Sequence, residues 1–293
     1  MTLYSIVIPH KDSLPWLQRC VDSIPVRTDI QVIVVDDDST VVEEDWRRFR
    51  KRNPHVDLYL THEGKGAGYA RNVGMTKAEG EWILFADADD FFYEGAFDVL
   101  DAYAESDHDV LYFLCDSRNG VSMEPEEKRV ENIRTGVEQH DIDTLRYRSI
   151  VPWGKMIRRS FLVSERLSFD ETYVANDVMF SGKLGYAARN PGIVKAPALY
   201  CWTVNSTSLY FHPTIRKTIL RIRVRKQYND FLHEHNLDEF QLPPTHASFF
   251  FPKHPALFLW AVWTMRFKGD SWRYLKEVFR IIYVKISLHL SKQ

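Results

Sequence analysis

The sequence predicts an α/β fold with a mainly parallel, Rossmann-like sheet and a helical C-terminal extension, and three observations predict it. Continuous apolar runs such as Ile30-Gln31-Val32-Ile33-Val34-Val35 read as strands buried on both faces. Segments with helical spacing separate these runs. Two of the runs end abruptly in acids, Asp36-Asp37-Asp38 and Asp87-Ala88-Asp89-Asp90. The carboxyl ends of strands are where open α/β sheets build their active sites.

The elements follow in order. Residues 3–9 are apolar and β-branched and predict a first buried strand. Residues 16–24 have helical spacing, and residues 30–35 form the second strand. Residues 43–51 predict a helix and 56–60 a short strand. A glycine-rich turn opens a helix over 67–78, and the strand 82–86 runs into the second acid cluster. A helix over 96–104 and a strand over 110–114 complete the alternation. Residues 117–150 are polar without clear periodicity and predict a loop region with an edge hairpin. From Pro213 the composition changes: a helical segment over 214–232, a Pro243-Pro244 loop, an apolar aromatic stretch over 249–267 and a basic amphipathic end over 272–290.

Composition bounds the function classes. A chain of 293 residues can bury a sizeable core. A net charge of −2 gives no overall pull towards nucleic acid. Cys20, Cys115 and Cys201 form no CxxC pair and no zinc spacing, which predicts free thiols in a reducing, cytoplasmic compartment. No basic region precedes the first apolar stretch, so no signal peptide is expected. No apolar segment reaches the ~20 residues needed to span a bilayer.

Three constellations carry chemistry. Asp87 and Asp89, two apart at a strand end, can both turn towards one hard divalent cation shared with phosphates. They also suit an ordinary solvated turn. Asp36-Asp37-Asp38-Ser39 can accept hydrogen bonds from a base, or supply Asp38 or Ser39 as the cap of the next helix. Gly64-Lys65-Gly66-Ala67-Gly68-Tyr69-Ala70-Arg71-Asn72 allows close backbone approach and offers a guanidinium fork at Arg71, or is a flexible turn. It matches neither a P-loop nor a dinucleotide fingerprint.

In this order and spacing, the segments resemble the family-2 glycosyltransferases of the GT-A fold, of the inverting, bacterial polysaccharide, lipopolysaccharide and capsule type. The family pattern is IPxYN, VVDDGSxD, GxxxARNxG and FLDADD. Here stand Ile8-Pro9-His10-Lys11-Asp12, Val34-Val35-Asp36-Asp37-Asp38-Ser39, Gly66 through Gly74, and Phe85-Ala86-Asp87-Ala88-Asp89-Asp90. Asp38 occupies a position where the family usually has glycine. Further on, Trp153-Gly154-Lys155-Met156 resembles W-x-K-L, and Ala175-Asn176-Asp177-Val178-Met179-Phe180 resembles GEDVxF with Asn176 in place of Glu. Residues 200–208 resemble YYRxRxxSxS.

The resemblance implies a catalytic domain, which with the change of composition at Pro213 is expected over residues 1–212, followed by a helical C-terminal region over 213–293. It implies sugar transfer from a nucleotide-sugar donor, UDP-linked, to a hydroxyl of a glycan or lipid-linked acceptor. Asp177 is then the general base, although by its own surroundings it suits a helix N-terminus. Pro9, Asp37, Arg71, Asp87, Ala88 and Asp89 fall at the donor, and Trp153 and Asn176 at the acceptor. Asp87 and Asp89 hold Mn2+ or Mg2+; His212 could serve as a third metal ligand or touch phosphate, although a lone histidine is more often structural or solvent-facing. A nucleotidyltransferase and a non-catalytic nucleotide-sugar-binding module are the competing expectations. The basic, aromatic C-terminal region suits either a peripheral seat on the inner face of the cell membrane or packing on the core or a second subunit.

Overall fold

The computed structural model describes residues 1–126, 130–205 and 212–290, apart from the side chains of residues 285, 286 and 288–290. The chain forms two compact units, Met1–Ser208 and Leu209–Gln293.

The first unit is the predicted α/β alternation. It opens with β1 (Tyr4–His10), α1 (Leu14–Asp22), β2 (Ile30–Asp37), α2 (Glu43–Arg52), β3 (Val56–Thr61), α3 (Ala67–Lys77) and β4 (Trp82–Phe85). It continues with β5 (Phe91–Phe92), α4 (Ala96–Asp101), β6 (Val110–Tyr112), β7 (Cys115–Asn119), α5 (Glu131–Glu138) and α6 (Ile142–Tyr147). It closes with β8 (Lys155–Arg158), α7 (Arg159–Ser164), α8 (Val178–Ala187), β9 (Pro191–Ile193) and β10 (Tyr200–Val204). The main sheet runs β3-β2-β1-β4-β8-β6-β9, parallel except for β8. A small sheet, β5-β10-β7, lies apart.

The order positions the site. The chain winds outward from β1 through β2 to β3, then returns so that β4 pairs on the other side of β1. The carboxyl ends of β1, β2 and β4 therefore surround a topological switch point, where such sheets bind ligands. Every residue of β1 is buried, as expected of a central strand covered on both faces. Pro9 sits in this strand opposite Val35. β4 pairs with β1 only as far as Val7, so the ladder on that side has ended where proline's missing donor falls.

Three sequence expectations change. Residues 117–150 hold the end of β7 and the helices α5 and α6; both helices are short, and polar residues dilute their apolar faces. The expected hairpin is short: Arg118 bridges Pro125 in antiparallel fashion, the Asn119 N–H donates to the Glu124 carbonyl and the Glu126 N–H to the Ser117 carbonyl. Neither Asp38 nor Ser39 caps α2, whose N-cap is Val42; both belong to the preceding loop. The helix expected over 96–104 ends at Asp101.

The second unit contains α9 (Ile215–Glu234), 3-10 turns at Asp238–Phe240 and Thr245–Phe249, α10 (Pro255–Thr264) and α11 (Ser271–Leu290). Thr214 caps α9 by accepting the Lys217 N–H. Its core gathers Ile222, Phe250, Phe258 and Met265. Asn229 and Leu242 exchange two hydrogen bonds, and Gln241 and Lys268 another two, so the loop backbone between the helices is satisfied by buried amides. No helix among the described residues is long and apolar enough to cross a membrane.

Candidate active site at the strand ends

The β4 end is the centre. β4 hands the chain directly to Asp87, Ala88, Asp89 and Asp90. Asp90 is fully buried and accepts the Thr203 N–H at 2.7 Å and the Tyr200 hydroxyl at 2.6 Å. The same Tyr200 oxygen accepts the Asp87 N–H at 2.9 Å. Asp90 thus fastens the acid turn to β10, and its role is structural. Burial, followed by the charges of Asp89 and Asp87, pushes its carboxyl well above the usual carboxylate range. Ala88, 7% exposed, packs in the turn and leaves the surface to its acidic neighbours.

Asp87 and Asp89 remain for a ligand. Arg71 donates to one Asp87 oxygen at 2.5 Å, and Asn205 donates to one Asp89 oxygen at 3.0 Å. Burial, then the charge of Asp87, raises the Asp89 pKa, and the Asn205 bond only partly opposes this. Arg19 and the Thr203 hydroxyl both donate to the Asp89 carbonyl. Among the described residues each carboxylate uses one oxygen in these bonds and keeps the other. Two carboxylates that repel each other suit Mg2+ or Mn2+, which complete their shells with water and phosphate. No group of three or more His, Cys, Asp or Glu able to hold a metal occurs among the described residues. His212 lies exposed in the second unit.

The β1 and β2 ends form the neighbouring wall. Asp37 accepts the Thr61 hydroxyl at 3.0 Å and the N–H groups of Gly64 at 3.1 Å and Gly66 at 2.5 Å. Its carboxylate therefore shapes the glycine-rich loop. His10 donates from Nδ1 to Asp36 at 2.7 Å, because its Nε2 accepts the Ser13 N–H at 3.0 Å; the ring is a fixed tautomer. Asp12 accepts the Thr40 N–H and hydroxyl, which ties the loop after β1 to the loop after β2. Asp38 holds a left-handed φ of 64°, which is why the family pattern has glycine there.

α3 connects this wall to the segment of the candidate base. Arg71 is buried, and its second terminal nitrogen donates to Asn176 at 2.9 Å. Asn72 exchanges two hydrogen bonds with the Phe169 backbone. Gly68 is essential to the approach: a Cβ there would lie 2.1 Å from the Asp170 carbonyl oxygen and 2.9 Å from the Asn176 Cβ. Asp177 then opens α8 at the N-cap position, yet its side chain caps no helix N–H. Ala175 turns the chain into this position with φ 57°, again where the family pattern has glycine.

Trp153 and Asn176 are both buried, at 2% and 8% exposure. Trp153 stacks on Tyr200 with ring centres 5.7 Å apart, and Asn176 joins Arg71 to the Thr172 carbonyl. Both side chains are packed against these partners rather than exposed. Arg71, expected at a base or phosphate, likewise spends its guanidinium on Asp87 and Asn176.

Sequence reasoning missed Tyr200, Thr203 and Asn205, which hold the acid turn, and Arg19 beneath it. The first three fall in the segment singled out by the family pattern, of which residues 206–208 lie outside the described residues. Arg19 carried no signal. Lys155, of the W-x-K-L match, is fully buried and donates to the carbonyls of Ser149 at 3.1 Å and Val151 at 2.5 Å. Burial pushes its pKa down to about 7, against the charges of Cys115 and Asp177.

Comparison with known proteins bears on this geometry. The model of "Glycosyl transferase family 2" matches residues 5–164, more than half of the chain and all of the acid-ended strands. The poly(ribitol-phosphate) beta-N-acetylglucosaminyltransferase TarS of Staphylococcus aureus is 26% identical over 253 residues, covering 82% of this chain and 43% of that protein. The uncharacterized glycosyltransferase YibD of Escherichia coli is 25% identical over 217 residues, covering 70% and 62%. The chain thus spans less than two thirds of either relative. Among solved structures, TarS 1-349 in complex with UDP-GlcNAc superposes with a TM-score of 0.63 at 22% identity, covering 82% of this chain and 70% of that one. The mannosyltransferase PcManGT of Pyrobaculum calidifontis, solved with GDP-Man and Mn2+, gives 0.51 at 19% identity, covering 89% and 71%. These likenesses bear out the α/β, GT-A fold expected from the sequence. With the matched model spanning the strand ends that carry Asp37, Asp87 and Asp89, the chain belongs to glycosyl transferase family 2.

Proposed function

We propose that the protein transfers a sugar from a UDP-linked donor to a hydroxyl of a glycan or lipid-linked acceptor, with inversion, in cell-surface polysaccharide synthesis. The observation that carries this is the Arg71 bridge: one buried guanidinium joins Asp87, at the donor end of β4, to Asn176, the residue before the candidate base. It sets donor and acceptor chemistry side by side.

Asp177 accepts the proton of the acceptor hydroxyl as that oxygen bonds to C1 of the sugar. The bond from C1 to the diphosphate breaks on the opposite face, and the nucleoside diphosphate leaves. General-base help of this kind is typically worth about 10²–10⁴-fold. Asp87 and Asp89 would hold Mn2+ or Mg2+, which when bound neutralises charge on the diphosphate. Asp37 orders the glycine loop at the base side, and Pro9 fixes the β1 end beneath it. Arg71 orients Asp87. Trp153 and Asn176 shape the acceptor side from below. The proposed location is cytoplasmic, at the inner face of the membrane, where a lipid-linked acceptor is met.

TarS binds UDP-GlcNAc in its solved complex, and this supports a UDP-sugar as donor here. A panel of UDP- and GDP-sugars with Mn2+, read by nucleoside diphosphate release, tests the proposal. Release from at least one UDP-sugar is expected. Release of pyrophosphate from a nucleoside triphosphate and a sugar phosphate would instead make it a nucleotidyltransferase.

A further inference from the structure

The second unit buries one side of α10 and α11 and leaves an unusual amount of aromatic surface on the other. Leu259 and Trp263, four residues apart on α10, are 66% and 70% exposed. On α11, Trp272, Leu275, Phe279 and Tyr283 recur at helical spacing along one face, and all four are exposed. Tyr274 and Ile281, on the opposite side of the same helix, are buried. α11 is therefore apolar on two faces, of which this unit covers one. Between the helices runs a groove of about 580 Å³ whose lining, including Leu259, Trp260, Tyr274 and Leu275, is almost wholly apolar. Contiguous apolar surface of this kind marks an interaction site.

Charge identifies the occupant. Residues 253–285 carry seven Lys or Arg and two acids, Asp270 and Glu277, in a chain whose net charge is −2. Two of these cations border the aromatic stripe. Arg266 lies over the Trp263 ring at 4.7 Å, and Lys276 over the Trp272 ring at 5.4 Å. A two-fold contact between copies would set this face against itself and oppose like charges. An anionic bilayer presents acyl chains to the stripe and phosphates to its basic border.

We infer that the α10–α11 face seats in the headgroup–acyl boundary of an anionic membrane, with Trp263, Trp272 and Phe279 inserted and Arg266 and Lys276 on lipid phosphates. This deepens the lipid-acceptor part of the proposed function and rests on it only for what the membrane supplies.

Co-sedimentation of the full chain with vesicles tests it. One vesicle set is phosphatidylcholine alone, the other a phosphatidylcholine–phosphatidylglycerol mixture. Binding to the mixed vesicles is expected, weaker by about tenfold or more on phosphatidylcholine and at high salt. Trp263→Ser with Phe279→Ser should abolish it. The exposed charge reversal Lys276→Glu, which leaves the packed side of α11 untouched, should weaken it. Nucleoside diphosphate release measured without vesicles should be unchanged in these variants, so failure of the transferase proposal and failure of this surface are separately visible. Full-length protein that stays in solution with both vesicle sets overturns the inference. So does a concentration-dependent dimer that the Trp263→Ser, Phe279→Ser pair dissolves.

Discussion

Arg71 donates to Asp87 at 2.5 Å through one terminal nitrogen and to Asn176 at 2.9 Å through the other. The Arg71 side chain is nearly inaccessible, while Asp87 keeps 30% of its side-chain surface. The guanidinium is therefore screened from water, while the carboxylate keeps an open edge. A planar fork can hold two acceptors at a fixed separation, which a single ammonium cannot.

Arg71→Lys should accordingly keep the charge and lose the bridge. A hydrogen bond to a charged group contributes about 1.5–3 kcal/mol. Catalytic efficiency should fall about tenfold or more, and the melting temperature should drop. Steady-state kinetics and a thermal melt on the same preparation check this. Wild-type efficiency in Arg71→Lys would mean that the bridge does not organise the site.

The acid turn predicts a linked dependence on pH and metal. Asp89 and Asp90 both titrate above the ordinary carboxylate value. An acid with a raised folded pKa binds its proton more tightly when folded. Its stabilising contribution is thus complete below the unfolded value of about 4 and is lost as pH rises through the folded value. Once ionised, the turn opposes folding through burial and like charge, and a divalent cation on Asp87 and Asp89 would offset that repulsion. Mn2+ should therefore raise the melting temperature at neutral pH, and the increment should shrink as pH falls through the Asp89 titration. An increment that is absent, or the same at every pH, would contradict metal binding at these carboxylates.

Gly68 predicts a purely steric effect. Its missing side chain lets α3 touch the Asp170 carbonyl, and a Cβ would meet that oxygen at 2.1 Å. Gly68→Ala must displace the loop that carries Asn176 and Asp177. Overpacking of this kind costs about 1–3 kcal/mol, so both stability and turnover should fall. Turnover that survives with only stability reduced would show that the loop's position is not critical to the chemistry.

The fold was legible because β1, β2 and β4 are buried on both faces, and such strands print themselves as unbroken apolar runs. The acid strand ends were legible for the same reason, since Asp37 and Asp87 interrupt those runs. α5 and α6 were not legible: each is six to eight residues long, too short for the helical period to stand out from polar neighbours. The partners of the acids were hidden for a different reason. Asn205 and Tyr200 reach Asp89 and Asp90 across more than a hundred residues, and no local pattern encodes such a contact. Arg71 was disguised as well: its type suggested a phosphate, while the fold gave it to Asp87, 16 residues on, and to Asn176, 105 residues on.

Asp177→Asn tests the central claim most directly. The substitution keeps size and shape and removes the base. Measured with one donor and one acceptor, donor affinity should stay near wild type while turnover falls by about 10²-fold or more. Turnover at the wild-type level would contradict the assignment of Asp177 and, with it, the account of how the strand-end acids and α8 act together.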